Sequence, residues 1–219
     1  METRTLGKNG PEVGVIGLGT EHLERSPETM DAVLRAAVEA GANYIDVLYV
    51  EHDYWEAFGP LFRKYRDGLV LGAHWSSGQR YDLDYCQSTL DNMLSFVGSV
   101  EVAMMTMIDD GDRKGQPWRE ASLEHLRRYQ EQGRVGLIGG SAHDATVARE
   151  AVSSGLIDVL MFPINMLGHD DEQTLGLIQA CADRGAGLVA MKPYHGGTLF
   201  CASGQPTGIT PAHCLHYLF

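Results

Sequence analysis

The stretch SPETMDAVLRAAVEAGANYIDV (residues 26–47) contains a helix signal followed directly by a short apolar strand. Ser26 is a suitable cap, Pro27 suits the first helical position, and Gly41 is a typical stop. The strand NYIDV (43–47) carries Asp46 at its carboxyl end, where a catalytic carboxylate could lie. The residues that follow, as far as Gly59, are interpreted as a loop.

The same alternation recurs along the chain. Further helical segments that end in glycine cover residues 82–98, 118–133, 144–155 and 171–185. The short apolar runs are 13–20, 43–47, 69–75, 100–108, 135–140, 159–166 and 187–193. Strands that are nearly continuous in apolar residues, with a helical unit every ~25–30 residues, are typical of a parallel sheet buried on both faces.

Seven such strands favour a barrel over a doubly wound sheet, because GLGTEH (17–22) lacks the GxGxxG turn of a dinucleotide-binding fold. We therefore predict one α/β domain over residues 1–219, a (β/α)8 TIM barrel. The chain ends in a segment typical of a seventh helix, so the eighth βα unit is expected to be absent. A shortened sequence, a unit supplied by another chain, and a natural seven-stranded variant all stay open.

Composition narrows the function classes. A formal charge of −12 disfavours binding to nucleic acid. No run of about 18 apolar residues is present, so no membrane span is expected. The four cysteines lie far apart, which disfavours a disulfide framework or zinc knuckle and suits the cytoplasm. The expected partner is a small-molecule substrate, and a homo-oligomer is compatible with these features.

Several segments in the correct order resemble the aldo-keto reductase family. They are RTLGKNGPEVGVIGLGT (4–20), AVEAGANYIDV (37–47), RDGLVLGAHW (66–75), VEVAMMTMIDD (100–110), LRRYQEQGRVGLIGGSAHD (126–144) and MKPYHGG (191–197). The last is most similar to the branch that often carries iron–sulfur clusters. The resemblance implies a barrel oxidoreductase that uses NADP with a small carbonyl or alcohol substrate.

The resemblance also implies a catalytic tetrad of Asp, Tyr, Lys and His, and this sequence retains only the first. Asp46 matches the Asp, whereas Glu51 occupies the Tyr position five residues later. His74 occupies the Lys position and Thr106 the His position. The predicted active site is therefore a degenerate version of the family's site.

Two neighbouring tyrosines are candidates to replace the missing general acid. Tyr49 and Tyr54 lie three and eight residues after Asp46, within reach if a loop carries them to the site. A tyrosine without a nearby ammonium group keeps a pKa of about 10 and donates protons poorly at neutral pH. A protonated His74 would partly replace the lysine charge.

The cofactor side of the predicted site is less complete. Ser141 matches the family's contact with the nicotinamide amide, and Asn165 lies four residues after the position of a family glutamine. Lys192 ends the seventh strand, where the iron–sulfur branch also has a lysine beside its cofactor. The predicted cofactor-binding residues are Gly19, Thr20, Ser141, Asn165, Lys192 and Gly196.

Two other function classes are compatible with these residues. Asp46, Glu51 and His74 form a possible acid–base set for a cofactor-independent lyase or isomerase. The same three, with His52, are possible ligands of a divalent metal such as Mn, Fe or Zn, although no short ligand motif supports this. A non-catalytic binding or regulatory relative is the remaining class.

Overall fold

A computed structural model describes residues 1–76, 81–111, 115–202 and 204–219. The strands are β1 (Thr3–Thr5), β2 (Glu12–Gly14), β3 (Leu18–Gly19), β4 (Tyr44–Val47), β5 (Val70–His74), β6 (Val100–Met105), β7 (Val135–Ser141), β8 (Val159–Pro163), β9 (Gly187–Met191), β10 (Cys201–Ala202) and β11 (Gln205–Pro206). Strands β3 to β9 form one curled parallel sheet in consecutive order. The antiparallel pairs β1–β2 and β10–β11 are separate hairpins.

Helices connect the parallel strands. They are α1 (Pro27–Ala40), α2 (His52–Tyr65), α3 (Leu83–Val97), α4 (Gln116–Glu131), α5 (Ala145–Ser153), α6 (Glu172–Arg184) and α7 (Pro211–Tyr217). Short 3-10 helices cover Arg66–Gly68, Met166–Gly168 and His195–Phe200. This repeated order of strand and helix confirms the predicted (β/α)8-type barrel architecture, with seven parallel strands in the described residues.

The opening stretch folds as its residues predict. Ser26 Oγ accepts a hydrogen bond from the Thr29 N–H at 3.1 Å and caps α1. Gly41 ends the helix with φ 79°, a left-handed conformation that glycine adopts at little cost. The chain then enters β4 and reaches Asp46 at the carboxyl end of the sheet.

Two boundaries differ from the prediction. The apolar run 13–20 is split, because its first residues pair with β1 in the amino-terminal hairpin and leave only Leu18–Gly19 in the parallel sheet. The predicted loop after β4 is wrong, because residues from His52 onward form α2. Pro60 lies inside this helix, where proline normally removes a hydrogen bond, and four of the helix's five aromatic residues are buried.

The interior of the sheet is filled by large side chains that face glycines on neighbouring strands. Tyr44 on β4 lies over Gly72 on β5, where an added Cβ atom would be 2.3 Å from the tyrosine hydroxyl oxygen. Met104 on β6 lies over Gly139 on β7 in the same way. These pairs leave little spare volume beneath the carboxyl ends of the strands.

Candidate active site

Asp46 is held at the carboxyl end of β4 by contacts to its backbone. Thr20 donates to the Asp46 carbonyl oxygen through both its N–H and its hydroxyl, each at 3.0 Å. Side chains alternate along a strand, so Asp46 lies on the same face as the buried Tyr44. The carboxylate is 17% exposed and lies at the mouth of the barrel.

A hydrogen-bonded chain crosses three adjacent strands at this mouth. His74 Nε2 lies 3.1 Å from Asp46 Oδ1, and His74 Nδ1 lies 2.6 Å from Thr106 Oγ1. The Thr106 hydroxyl in turn donates to the Ser76 carbonyl oxygen. The structure thus brings together Asp46, His74 and Thr106, three of the six predicted catalytic residues. The His74 side chain is only 3% exposed and both its ring nitrogens are occupied.

Glu51 is not a member of this hydrogen-bonded chain in the described residues. It is the residue that precedes α2, and its side chain makes no capping hydrogen bond to that helix. Its charge helps to raise the pKa of the Arg25 guanidinium, after the larger effect of a hydrogen bond with Tyr49. Among the described residues, no hydrogen bond or ion pair joins Glu51 to Asp46 or His74.

The two candidate tyrosines have structural partners. The Tyr49 hydroxyl donates to the Glu21 carbonyl oxygen at 2.5 Å, and the Arg25 guanidinium lies 4.0 Å from the centre of its ring. Tyr54 lies in the first turn of α2 and packs against Tyr49, Trp55 and Phe58. Burial raises the pKa of Tyr54 to about 12, which makes it a poor proton donor.

The predicted cofactor-binding residues lie around the rest of the mouth, and several have internal partners. Ser141 Oγ accepts from the Met107 N–H at 2.8 Å. Asn165 donates through Nδ2 to the Lys192 carbonyl oxygen at 3.3 Å and accepts from the Leu167 N–H at 3.1 Å.

Glycines in this region leave open space. An added Cβ atom on Gly19, Gly196 or Gly197 would have no heavy atom within 4 Å. Gly196 and Gly197 also have φ of 65° and 86°, which favours glycine at both positions.

Lys192 and His143 form a second polar pair at the mouth. Lys192 Nζ lies 2.7 Å from the ring nitrogen Nε2 of His143. The backbone N–H of His143 donates to Asp109 Oδ2 at 2.5 Å. Burial and then the charge of Lys192 lower the pKa of His143, while Asp109 raises it. Lys192 and Met107 have φ of 55° and 49°, a strained conformation that often occurs at functional sites.

Replacing Lys192 with methionine is expected to raise the pKa of His143, because the variant removes a positive charge beside the imidazole. An NMR titration of the histidine ring signals measures this shift. Lys64→Met is the matched control, since Lys64 pairs with Asp31 on the outer helices and should leave His143 unchanged. An unchanged or lower pKa of His143 in Lys192→Met would contradict the pairing.

Some contributors to the site could not be found from side-chain patterns. Ser76 acts through its backbone carbonyl oxygen, which no residue type specifies. Arg25 contacts Tyr49 from the loop that follows β3, and a single arginine in a polar loop gives no distinguishing signal.

Other predicted features have the following outcomes. In the described part of the chain, no three His, Cys, Asp or Glu side chains lie close enough to hold a metal ion. The proposed ligand set around Asp46 and His74 is therefore not assembled. The four cysteines form no disulfide there. Among the helices of those same residues, none has the length and apolar character needed to cross a membrane.

Known proteins share this architecture. The sequence model of the aldo/keto reductase family matches residues 13–213. The uncharacterised oxidoreductase YqkF of Bacillus subtilis is 22% identical over 215 residues, which cover 91% of this chain and 67% of YqkF.

Solved structures agree in fold. The aldo-keto reductase AKR11C1 of Bacillus halodurans, in its holo form, has a TM-score of 0.73 at 20% identity, with 95% of this chain and 72% of that chain covered. A thermostable aldo-keto reductase in complex with the inhibitor epalrestat has a TM-score of 0.70 at 24% identity, with 90% and 74% covered. Because the family match spans most of the sequence, the chain belongs to the aldo/keto reductase family.

Proposed function

We propose that this protein interconverts a small carbonyl compound and its alcohol with NAD(P)H, and that the Asp46–His74 pair supplies the proton. The observation that carries this proposal is the hydrogen-bonded chain from Asp46 through His74 to Thr106 at the barrel mouth. The family's members are oxidoreductases of this architecture, and active sites of such barrels lie at this face. The altered tetrad, with Glu, His and Thr in place of Tyr, Lys and His, is part of the proposal.

The pair is a better proton donor than the nearby tyrosines. Tyr54 is buried and its pKa is raised to about 12. The Tyr49 hydroxyl already donates its hydrogen bond to the Glu21 carbonyl oxygen. Asp46 is the more exposed member of the pair, so its carboxyl group is the part that can reach a substrate oxygen. His74 lies behind it, shielded from solvent, and holds the carboxyl in place.

Three features around the mouth support the proposed dinucleotide. Gly19 and Gly196 leave open space where a side chain would obstruct a ligand. Lys192 provides a positive charge suited to a phosphate group, and Ser141 and Thr20 line the same carboxyl ends of the strands. When bound, the reduced nicotinamide supplies a hydride to the carbonyl carbon.

The chain's own residues then have separate tasks. Asp46 and His74 deliver one proton to the carbonyl oxygen, which completes the alcohol. The net charge of the pair falls by one when the proton leaves. Thr20 fixes the backbone of Asp46, and Thr106 fixes the ring of His74. The buried position of His74 keeps water away from the contact between the two titratable groups.

A cofactor-independent isomerase or lyase is the second candidate. One observation favours it: the Asp46–His74 pair is a complete acid–base unit that needs no cofactor to hold or release a proton. Glu51 is not joined to that pair within the described residues, so this candidate rests on two residues rather than three.

A fluorescence titration of the full-length natural protein with NADPH, and in parallel with NADH, tests the first candidate. We expect saturable binding of the cofactor. We also expect reduction of small aldehydes or ketones, monitored by the loss of the absorbance of the reduced nicotinamide. Absence of binding at millimolar cofactor would reject the oxidoreductase. Asp46-dependent proton exchange on a ketone without cofactor would then support the isomerase, and its absence a non-catalytic relative.

A further inference from the structure

The Thr106 hydroxyl contacts both a backbone carbonyl and the ring of His74. It donates to the Ser76 carbonyl oxygen, and its oxygen lies 2.6 Å from His74 Nδ1. Thr106 and His74 are both buried, 6% and 3% exposed, so bulk water does not compete freely for these contacts. The hydrogen-bonding capacity of each group therefore determines where the protons lie.

Counting protons assigns the state of Nδ1. A hydroxyl has a single proton to donate, and a carbonyl oxygen can only accept. Since the Thr106 proton lies between Thr106 and Ser76, the Thr106 oxygen must accept at its contact with His74. His74 Nδ1 therefore carries a hydrogen.

The opposite arrangement is unfavourable. If Nδ1 carried no hydrogen, Thr106 would have to donate to it. The Thr106 and Ser76 oxygens, which are in contact, would then have no proton between them, which is repulsive. Because the Ser76 carbonyl oxygen can only accept, its contact with Thr106 favours the first arrangement.

The other side of the ring follows from this assignment. His74 Nε2 faces Asp46 Oδ1 at 3.1 Å, and that contact needs one proton as well. The proton lies either on His74, giving imidazolium and carboxylate, or on Asp46, giving neutral imidazole and carboxylic acid. In both cases the pair has no net charge and holds one proton more than a neutral histidine beside a carboxylate.

We propose that Thr106 is a positioning residue that fixes the Nδ1-protonated form of His74 and thereby keeps one transferable proton on the Asp46–His74 pair. This inference rests on the proposed function, because the transferable proton is the one delivered to the carbonyl oxygen. After delivery, the Nε2 lone pair faces the Asp46 carboxylate, an unfavourable contact that promotes uptake of a new proton from water.

The first test needs no substrate and uses a variant only to assign the signals. In protein labelled with ¹⁵N-histidine, long-range ¹H–¹⁵N correlation spectra distinguish protonated from unprotonated ring nitrogens. The signals that disappear in a His74→Gln spectrum belong to His74. We expect Nδ1 of His74 to be protonated in the natural protein, and an unprotonated Nδ1 would overturn the proposal.

Two variants test the role of Thr106 itself. Thr106→Val keeps the shape but removes the hydroxyl, so the ring should shift its hydrogen to Nε2 and leave Nδ1 unprotonated. Thr106→Ser keeps the hydroxyl and should retain the natural spectrum. An Nδ1 that remains protonated in Thr106→Val would show that Thr106 does not select this form.

Kinetics complete the test. Thr106→Val should lower kcat by about 100-fold, a typical contribution of a general acid, while KM changes little. Thr106→Ser, which keeps the hydroxyl, should retain most of the kcat of the natural protein. Equal kcat in the natural protein and Thr106→Val would overturn the positioning role. If the spectra agree with the expectation but no carbonyl is reduced, the tautomer assignment is supported and only the reductase proposal is rejected.

Discussion

An Asp46→Asn variant is expected to lose about 100- to 10,000-fold of turnover, the usual contribution of a general acid–base group. The amide has nearly the shape of the carboxyl group, so the position beside His74 is retained while the ability to carry the transferable proton is lost. The rate of NADPH-dependent carbonyl reduction measures this change, and cofactor affinity from fluorescence titration should change little.

A matched control separates this loss from general damage. Asp67 is exposed in the 3-10 helix that precedes β5, at the opposite end of the strand from His74. Asp67→Asn makes the same chemical change and should leave turnover unaltered. Turnover by Asp46→Asn within about threefold of the natural protein, far short of the loss expected of a general acid, would show that Asp46 is not the proton donor.

A Gly72→Ala variant is expected to lower the free energy of unfolding by about 1–3 kcal/mol, the usual cost of overpacking a core. The new Cβ atom would lie 2.3 Å from the hydroxyl oxygen of Tyr44 and 2.8 Å from its Cζ atom. Tyr44 is 4% exposed and surrounded by other buried side chains, so its ring has little room to move away. Denaturant unfolding followed by circular dichroism measures the loss.

Removing the atom that clashes should recover part of this stability. Tyr44→Phe deletes the hydroxyl, which has no hydrogen-bond partner among the described residues, so the single variant should not be less stable. The double variant Tyr44→Phe/Gly72→Ala should unfold at a higher denaturant concentration than Gly72→Ala.

Gly168→Ala is the control for the Gly72 variant, because an added Cβ atom there meets nothing within 4 Å. It should change the stability by less than about 0.5 kcal/mol, as most surface substitutions do. Equal effects of the two alanines would contradict the packing of Tyr44 over Gly72.

The elements that the sequence predicts well are those with signals inside their own residues. Helix α1 has its cap, its first-turn proline and its glycine stop within sixteen residues, and all three act as expected. The position of Asp46 at the carboxyl end of a strand can be predicted because a short apolar run ends beside it. The interpretation of the residues after β4 as a loop is wrong, because burial of Trp55 and Phe62 stabilises helix α2 even though Pro60 lies within it.

The geometry of the site depends on contacts between distant parts of the chain. His74 and Thr106 are 32 residues apart, and only the register of β5 against β6 brings their side chains together. Spacing predicts Glu51 near the same site, but in the described residues no hydrogen bond or ion pair joins it to Asp46 or His74. Side-chain direction at a helix start is a property of the tertiary structure and is not encoded in the spacing from Asp46.

The placement of Asp46, His74 and Thr106 at the ends of adjacent strands has a consequence for how the protein can evolve. The backbone of these strands is fixed by the pairing of the sheet, whereas the described residues that come after Ser76 and Thr106 in the following loops carry no part of the proton-holding chain. Substitutions and insertions in those loops can therefore change which compound is bound without moving the Asp46 and His74 side chains. Substrate range and proton chemistry can diversify independently in this barrel.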